Sequence, residues 1–297
     1  MAEALTLAEA RELVAASVAH LAQRLAIPVL LIKGPTLAAH GLREPRDSAD
    51  VDLLASPARV GALVAALVER GWHEYAQDTT AHVMAPASVT LVHQAWPLEL
   101  DLHHSFPGFL TDPQTVFDSL WARREEFAQA AQPLAMPDRL GSILVAALHY
   151  ERTPQMHQTS LDDLARRAGA DLDIQGLAEL AAATGCADTL RSFLDGLGVP
   201  PVGVGNSDPD ALAAWELFRS GGWVPGVAWL EALRRAPWRK RPAILWHAVM
   251  FTEDELRLRY PAAPAGARGV WLARWWRIRQ ALMAMPRALR VLRDQRP

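Results

Sequence analysis

Cysteine is nearly missing from this chain: Cys186 stands alone. One thiol can form neither an internal disulfide framework nor a thiolate metal cluster. A reducing, cytoplasmic setting is expected. Lysine is almost as scarce. Only Lys33 and Lys240 occur, and arginine supplies the remaining positive charge. Such a bias fits a GC-rich genome, and under it a retained lysine carries information. No apolar run approaches the length of a membrane span. The N-terminus has no basic region followed by an apolar core, so no signal peptide is read there. A G-x-S-x-G nucleophile turn and histidine-rich zinc signatures are also missing, so a serine hydrolase or zinc enzyme finds no support.

What remains is an ordinary globular balance, 51% hydrophobic and 21% charged over 297 residues. That length suffices for two domains, or one domain with a helical extension. The net charge of −3 hides an uneven spread. Residues 1–230 carry 15 basic and 28 acidic side chains, whereas 231–297 carry 15 basic and 5 acidic.

Thr6 and Glu9 form a capping-box pattern ahead of an amphipathic helix that Pro28 ends. Val29–Ile32 reads as a short buried strand, and Gly34-Pro35 as a turn into a helix over about 36–42. Val51–Ala55 reads as a strand. Ser56 and Pro57 have the look of a cap and first position for a helix running to Arg70, stopped by Gly71. The segments 72–75, 81–84, 89–93 and 98–104 have the lengths and punctuation of a β-meander. From about 112 onward the pattern reads helical, beginning with 113–130 and 137–152. The fold class expected is α+β (mixed α/β): a small sheet with flanking helices, then an α-helical C-terminal region. The expected boundaries are 1–111, 112–230 and 231–297.

The chemistry is concentrated early. In LLIKGPTLAAHGLREPRDSADVDLL, a lysine and a glycine close an apolar run, and two aspartates follow. Residues i and i+2 of a strand share a face, so Asp50 and Asp52 project together, about 7 Å apart along the backbone. Like charges so close repel unless a cation lies between them. Apolar Val51, Leu53 and Leu54 bury the strand. A second strand, LELDLHHSF, puts Glu99, Asp101 and His103 on one face. An acid from it beside Asp50 and Asp52 makes a three-carboxylate site. Oxygen ligands favour Mg²⁺ or Mn²⁺, and Mg²⁺ commonly arrives with a substrate's phosphates.

Lys33-Gly34, Arg46, Asp50-Val51-Asp52-Leu53-Leu54, Gly71-Trp72, His82 and Asp101-Leu102-His103 together resemble the uncharacterised nucleotidyltransferase family of the DNA-polymerase-beta-like superfamily. The likeness runs over about residues 28–105 and extends more weakly to His149 and Asp162-Asp163-Leu164. It implies a nucleotidyltransferase-fold sheet and a helical half. It further implies NMP transfer from an NTP, with ATP expected, onto a small-molecule or peptide acceptor. In the superfamily three acids bind two metals, which implies that Asp50, Asp52 and Asp101 hold Mg²⁺ or Mn²⁺. Asp101 would help to activate an acceptor hydroxyl, and His103 would carry a proton or support the site. Lys33, Gly34, Arg46 and Asp163 are implied as nucleotide-binding, with Lys33 facing the distal phosphates. Most of the superfamily has Gly-Gly or Gly-Ser where this chain has Lys33-Gly34. Members occur among peptide natural-product and polysaccharide genes, which implies a tailoring role. The alternatives are transfer of another phosphate-linked group to a ribosomal peptide, or a non-catalytic nucleotide- or peptide-binding module.

The C-terminal stretch interleaves tryptophan with arginine. It reads either as a helix packed on the acidic body or as a contact for an anionic partner such as lipid, nucleic acid or an acidic peptide.

Overall fold

A computed structural model describes residues 5–46, 48–75, 87–152, 154–221, 230, 233–234, 236–249 and 266–294. The chain forms two compact units. One comprises residues 1–75 with 87–215, and the other 76–86 with 216–297.

The first unit opens with helix α1 (Leu7–Arg24). Thr6 caps it as the sequence predicts: its Oγ1 accepts from Glu9 N, and the Glu9 carboxylate accepts from Thr6 N at 2.8 Å. This reciprocal pairing satisfies two donors that a helix start leaves orphaned. Strand β1 (Val29–Leu31) follows, then helix α2 (Gly34–Ala39), strand β2 (Asp50–Ala55) and helix α3 (Val60–Val68). Helix α3 starts later than Ser56-Pro57 suggests. Arg59 occupies its cap position without a side-chain bond. Ser56 instead closes a turn through its carbonyl, while its hydroxyl donates to Gln114 Oε1 at 3.3 Å. After α3 the chain reverses at Gly71, whose φ of 87° is in glycine's range. Trp72 then enters the core.

Three further strands complete one side of the sheet: β3 (His73–Glu74), β4 (Ser88–Val92) and β5 (Glu99–His103). The strand expected over 81–84, with His82, lies outside the described residues. Helix α4 (Pro113–Ala122) is next, capped by Asp112. Where a single helix over 113–130 is expected from sequence, the chain instead turns back as a hairpin, β6 (Glu125–Gln129) and β7 (Gln132–Met136). Its two-residue loop is Ala130-Ala131, both at positive φ (44° and 61°). Two positive φ values are what a tight hairpin turn requires, and Asn-Gly usually supplies them. Alanines give no such signal, and the local pattern reads as helix.

The seven strands form one mixed sheet in the order β3-β4-β5-β2-β1-β7-β6. β2 and β5 run parallel, as do β1 and β7, and the other pairs are antiparallel. Strand β2 sits at the centre, which is why its residues from Val51 onward are all buried. One sheet face is dry. Val51, Leu53, Leu100 and Leu102 pack there with Val14, Val18, Leu63 and Leu67 of α1 and α3. Burying each such side chain contributes about 1.5–3 kcal/mol, so this face fixes the register of the acids on the other.

Helix α5 (Arg139–Glu151) is capped by Asp138 and buried along nearly its whole length. Helices α6 (Pro154–Ala168), α7 (Ile174–Thr184), α8 (Arg191–Gly196) and α9 (Pro209–Gly221) follow, the last crossing from the first unit into the second. In the second unit α10 (Arg241–Val249) and α11 (Ala267–Asp294) are described. The mixed α/β class expected from sequence is what the chain adopts.

Candidate active site

The parallel pairing of β2 and β5 sets Asp52 directly beside Asp101, with Asp50 beside Glu99 and Leu54 beside His103. Neighbours in a parallel pair share a face, and so do residues two apart. Asp50, Asp52, Asp101 and His103 therefore rise from the sheet face opposite the α1/α3 core. Ligand atoms of Asp52, Asp101 and His103 all lie within 4.8 Å of one another. Two carboxylate oxygens and an imidazole nitrogen can together hold a divalent cation. Asp50 stands outside that trio. It is partly buried at the start of β2 and accepts a hydrogen bond from Ser48 Oγ. Burial first, then the charge of Asp52, raises its pKa. Glu99 is exposed.

Lys33 occupies the middle of the group. Its Nζ is 2.5 Å from Asp52 Oδ1 and 3.5 Å from His103 Nε2. It also lies 5.7 Å above the centre of the Phe106 ring. The two side chains of the pair are only 14% and 7% exposed. Lys33 also caps α2 with φ 61° and ψ −139°, a conformation that L side chains rarely adopt. Such strain costs about 1–3 kcal/mol and persists only where surrounding contacts enforce it. Those contacts are present: the Lys33 carbonyl accepts from Thr36 N, Leu37 N and Thr36 Oγ1. A Cβ added at Gly34 would meet nothing within 4 Å. The unusual backbone of this turn belongs to the lysine.

His103 Nε2 is 3.0 Å from Asp52 Oδ1. A carboxylate only accepts, so Nε2 carries the proton and Nδ1 is left with its lone pair. That Nδ1 is buried and has no hydrogen-bond partner. Burial, with Lys33 adding to it, lowers the His103 pKa and favours the neutral ring. For Asp52, burial pushes the pKa up. The His103 hydrogen bond and the Lys33 charge outweigh it and hold the carboxyl at about 2. Asp52 is thus ionised, buried and already paired with a cation.

Several residues of the site are announced by the sequence weakly or not at all. Thr90 on β4 donates its hydroxyl to Asp101 Oδ1 at 2.5 Å, from the register position opposite Asp101. Phe106 packs against the His103 ring at 5.5 Å. From α5, His149 feels the charges of Lys33 and Asp52, and burial takes its pKa down to about 3. Its ring lies 5.6 Å from that of His157, and its Nδ1 has no partner. The Arg152 guanidinium, partly buried just beyond α5, is within reach of the charges of Asp52 and Asp101. Thr90 and Phe106 are unremarkable in sequence. The HYER segment gives a weak signal for His149 and Arg152.

Other residues singled out from sequence have partners of their own. Arg46 is exposed, and its carbonyl accepts from Arg11 Nη1 at 3.3 Å. Asp163 is engaged by Arg166 at 2.7 Å and by Arg167 at 3.0 Å, and Arg167 reaches on to Glu44 at 2.8 Å. Cys186 is buried, and burial pushes its thiol up to about 12, far from a nucleophile's range.

A family described as uncharacterised nucleotidyltransferase matches residues 2–195 of this chain. No curated protein matches it. Among solved structures, the chain is similar to ANT(2")-Ia in complex with adenylyl-2"-tobramycin, with 16% identity and a TM-score of 0.39. That alignment covers 59% of this chain and 96% of the other. A lincomycin-bound lincosamide antibiotic adenylyltransferase, LnuA, is 13% identical, covering 52% and 94%, with a TM-score of 0.36. An antigenic nucleotidyltransferase-like protein from Paracoccidioides brasiliensis is 15% identical, covering 66% and 94%, with a TM-score of 0.41.

Proposed function

We propose that this chain, which belongs to the uncharacterised nucleotidyltransferase family, moves an NMP group from an NTP, ATP first among the candidates, to a hydroxyl of a small-molecule or peptide acceptor. The observation that carries the reading is the in-register pairing of Asp52 with Asp101 on adjacent parallel strands, with His103 beside them. Asp50, Asp52 and Asp101 are the proposed metal-holding acids, and His103 is a further donor. A bound Mg²⁺ or Mn²⁺ would neutralise phosphate charge and favour attack at phosphorus.

The chain's own groups do the rest. Lys33 at the N-terminus of α2 brings positive charge to the phosphate side of the site, and Gly34 leaves the backbone open there. Asp101, oriented by Thr90, receives the acceptor's proton as its oxygen bonds the α-phosphorus. The bond from the α-phosphorus to the bridging oxygen breaks, and pyrophosphate leaves. Arg46 and Asp163 are proposed at the nucleotide's periphery. Tailoring of a peptide or polysaccharide in the cytoplasm is the proposed context, and residues 1–111, 112–230 and 231–297 are the proposed divisions of labour. The excess of arginine after residue 231 supports contact between the C-terminal region and an anionic partner.

The deciding experiment incubates the protein with each α-³²P-labelled NTP and Mg²⁺ or Mn²⁺, against a panel of hydroxylated acceptors. Label transfer with stoichiometric pyrophosphate is expected. Binding of every NTP without pyrophosphate release under any condition would turn the reading toward a binding module.

A further inference from the structure

The three acids, Asp50, Asp52 and Asp101, bring three negative charges to one sheet face. Lys33 brings one positive charge into direct contact with Asp52 and near His103. With the Arg152 guanidinium also within reach of Asp52 and Asp101, the negative charge that remains is no more than a single divalent ion balances. The ammonium is not a surface group that has wandered in. It is 14% exposed, and the backbone that aims it is strained and clamped by three hydrogen bonds from Thr36 and Leu37. Phe106 closes its other side. In a chain with only two lysines, one is held in a conformation that suits glycine, with its amine against the central carboxylate.

We propose that Lys33 Nζ permanently fills one of the two cation positions of the carboxylate group, so that the site takes one divalent ion per nucleotide instead of two. The inference rests on the metal-dependent transfer reading above. Lysine suits such a task because its ammonium is a compact point charge with three donors. It meets Asp52 Oδ1 while leaving the Asp50 oxygen not bonded by Ser48, the other Asp52 oxygen and the Asp101 oxygen not bonded by Thr90 available to an ion. A lysine that only neutralised Asp52 in the empty protein would swing away when the nucleotide arrives, and two ions would then enter.

The test is a Mn²⁺ titration of the full chain with the α,β-methylene analogues of the four NTPs. Free and bound ion are followed by electron paramagnetic resonance. The wild type should bind one Mn²⁺ per chain with an uncoupled spectrum. Lys33→Gly fits the backbone and removes the amine, and Lys33→Met keeps the side-chain length against Phe106. Each should bind a second Mn²⁺ and show the broadened spectrum of a spin-coupled pair. Two ions in the wild type overturn the proposal, whatever the variants do. One ion in the wild type and still one in both folded variants overturns it too. No Mn²⁺ in the wild type with any analogue removes the metal-dependent reading itself, an outcome distinct from two.

Discussion

The sheet and the C-terminal helix break the same rule in opposite directions. On the sheet, charge is inside: Asp52 and Lys33 are nearly covered, with His103 buried beside them. On α11, apolar surface is outside: Trp271 is 61% exposed, Trp275 57% and Leu282 63%. Charged groups are rarely buried unless paired, and large exposed apolar stripes mark contacts. The sheet offsets its violation internally, with a cation and hydrogen bonds on each acid. Helix α11 offsets part of its own by stacking Arg274 on Trp271 at 5.1 Å, but Trp275 and Leu282 stay open. Charge buried with compensation is the mark of a site that acts by itself. Apolar surface left open is where the proposed anionic partner would make contact.

The contrast is most exposed to refutation at Asp52. Asp52→Asn keeps the shape and removes the charge that Lys33 and His103 both address. Label transfer should fall by about three orders of magnitude or more. Turnover near wild type in a pyrophosphate-release assay would mean that the buried charge is structural only.

Protonation tests the same interior more gently. The His149 pKa is lowered to about 3 from an ordinary 6.5. Below pH 6.5 the unfolded chain takes up a proton that the folded chain refuses, so stability should fall as pH drops from 6.5 toward 3. The limiting slope is about 1.4 kcal/mol per pH unit for this group. The depressed Asp52 acts lower, its contribution being lost as pH falls from 3.8 toward about 2. Denaturant melts of wild type and His149→Gln at pH 7, 6 and 5 check this. The variant should show the flatter dependence, and parallel curves would show that His149 is not what resists protonation.

Thr90→Val deletes the donor to Asp101 while preserving the strand's shape. A fall in kcat of about ten-fold is expected, with KM for the NTP little changed, and Thr90→Ser should recover most of it. Equal loss in the serine variant would argue for packing over the hydrogen bond.

The smallest effect on chemistry should come from the other region. Deleting 267–297 should leave transfer within about two-fold of the full chain, since the site residues all belong to the other compact unit. The same deletion should abolish binding to polyglutamate, which for the full chain should weaken steeply with added salt. Retained, salt-sensitive binding after deletion would move the anionic contact elsewhere.

Local rules made part of this legible in one dimension. The capping box at Thr6 and Glu9 works as its spacing implies, because both partners lie within one helical turn. The shared face of Asp50 and Asp52 follows from the two-residue period of a strand, and the same period pairs Asp101 with His103. The scarcity of lysine marks Lys33 from composition alone. Even the basic bias after residue 231 is a property of composition.

Other features depended on partners distant in the chain. That Asp101 stands beside Asp52 is a matter of register between β2 and β5, fixed by the apolar face packed on α1 and α3. That Lys33 turns inward to Asp52 follows from a strained turn which only the clamp at Thr36 and Leu37 enforces. The hairpin after α4 was hidden because alanines adopt positive φ there. Pairing of β7 with β1 supplies what local propensity does not. The sequence by itself determined which groups share a strand face, since that depends on neighbours two residues apart. The tertiary structure decided which cation meets which acid, because bringing Lys33, Asp52 and Asp101 together requires chain closure over tens of residues, and that is set by packing.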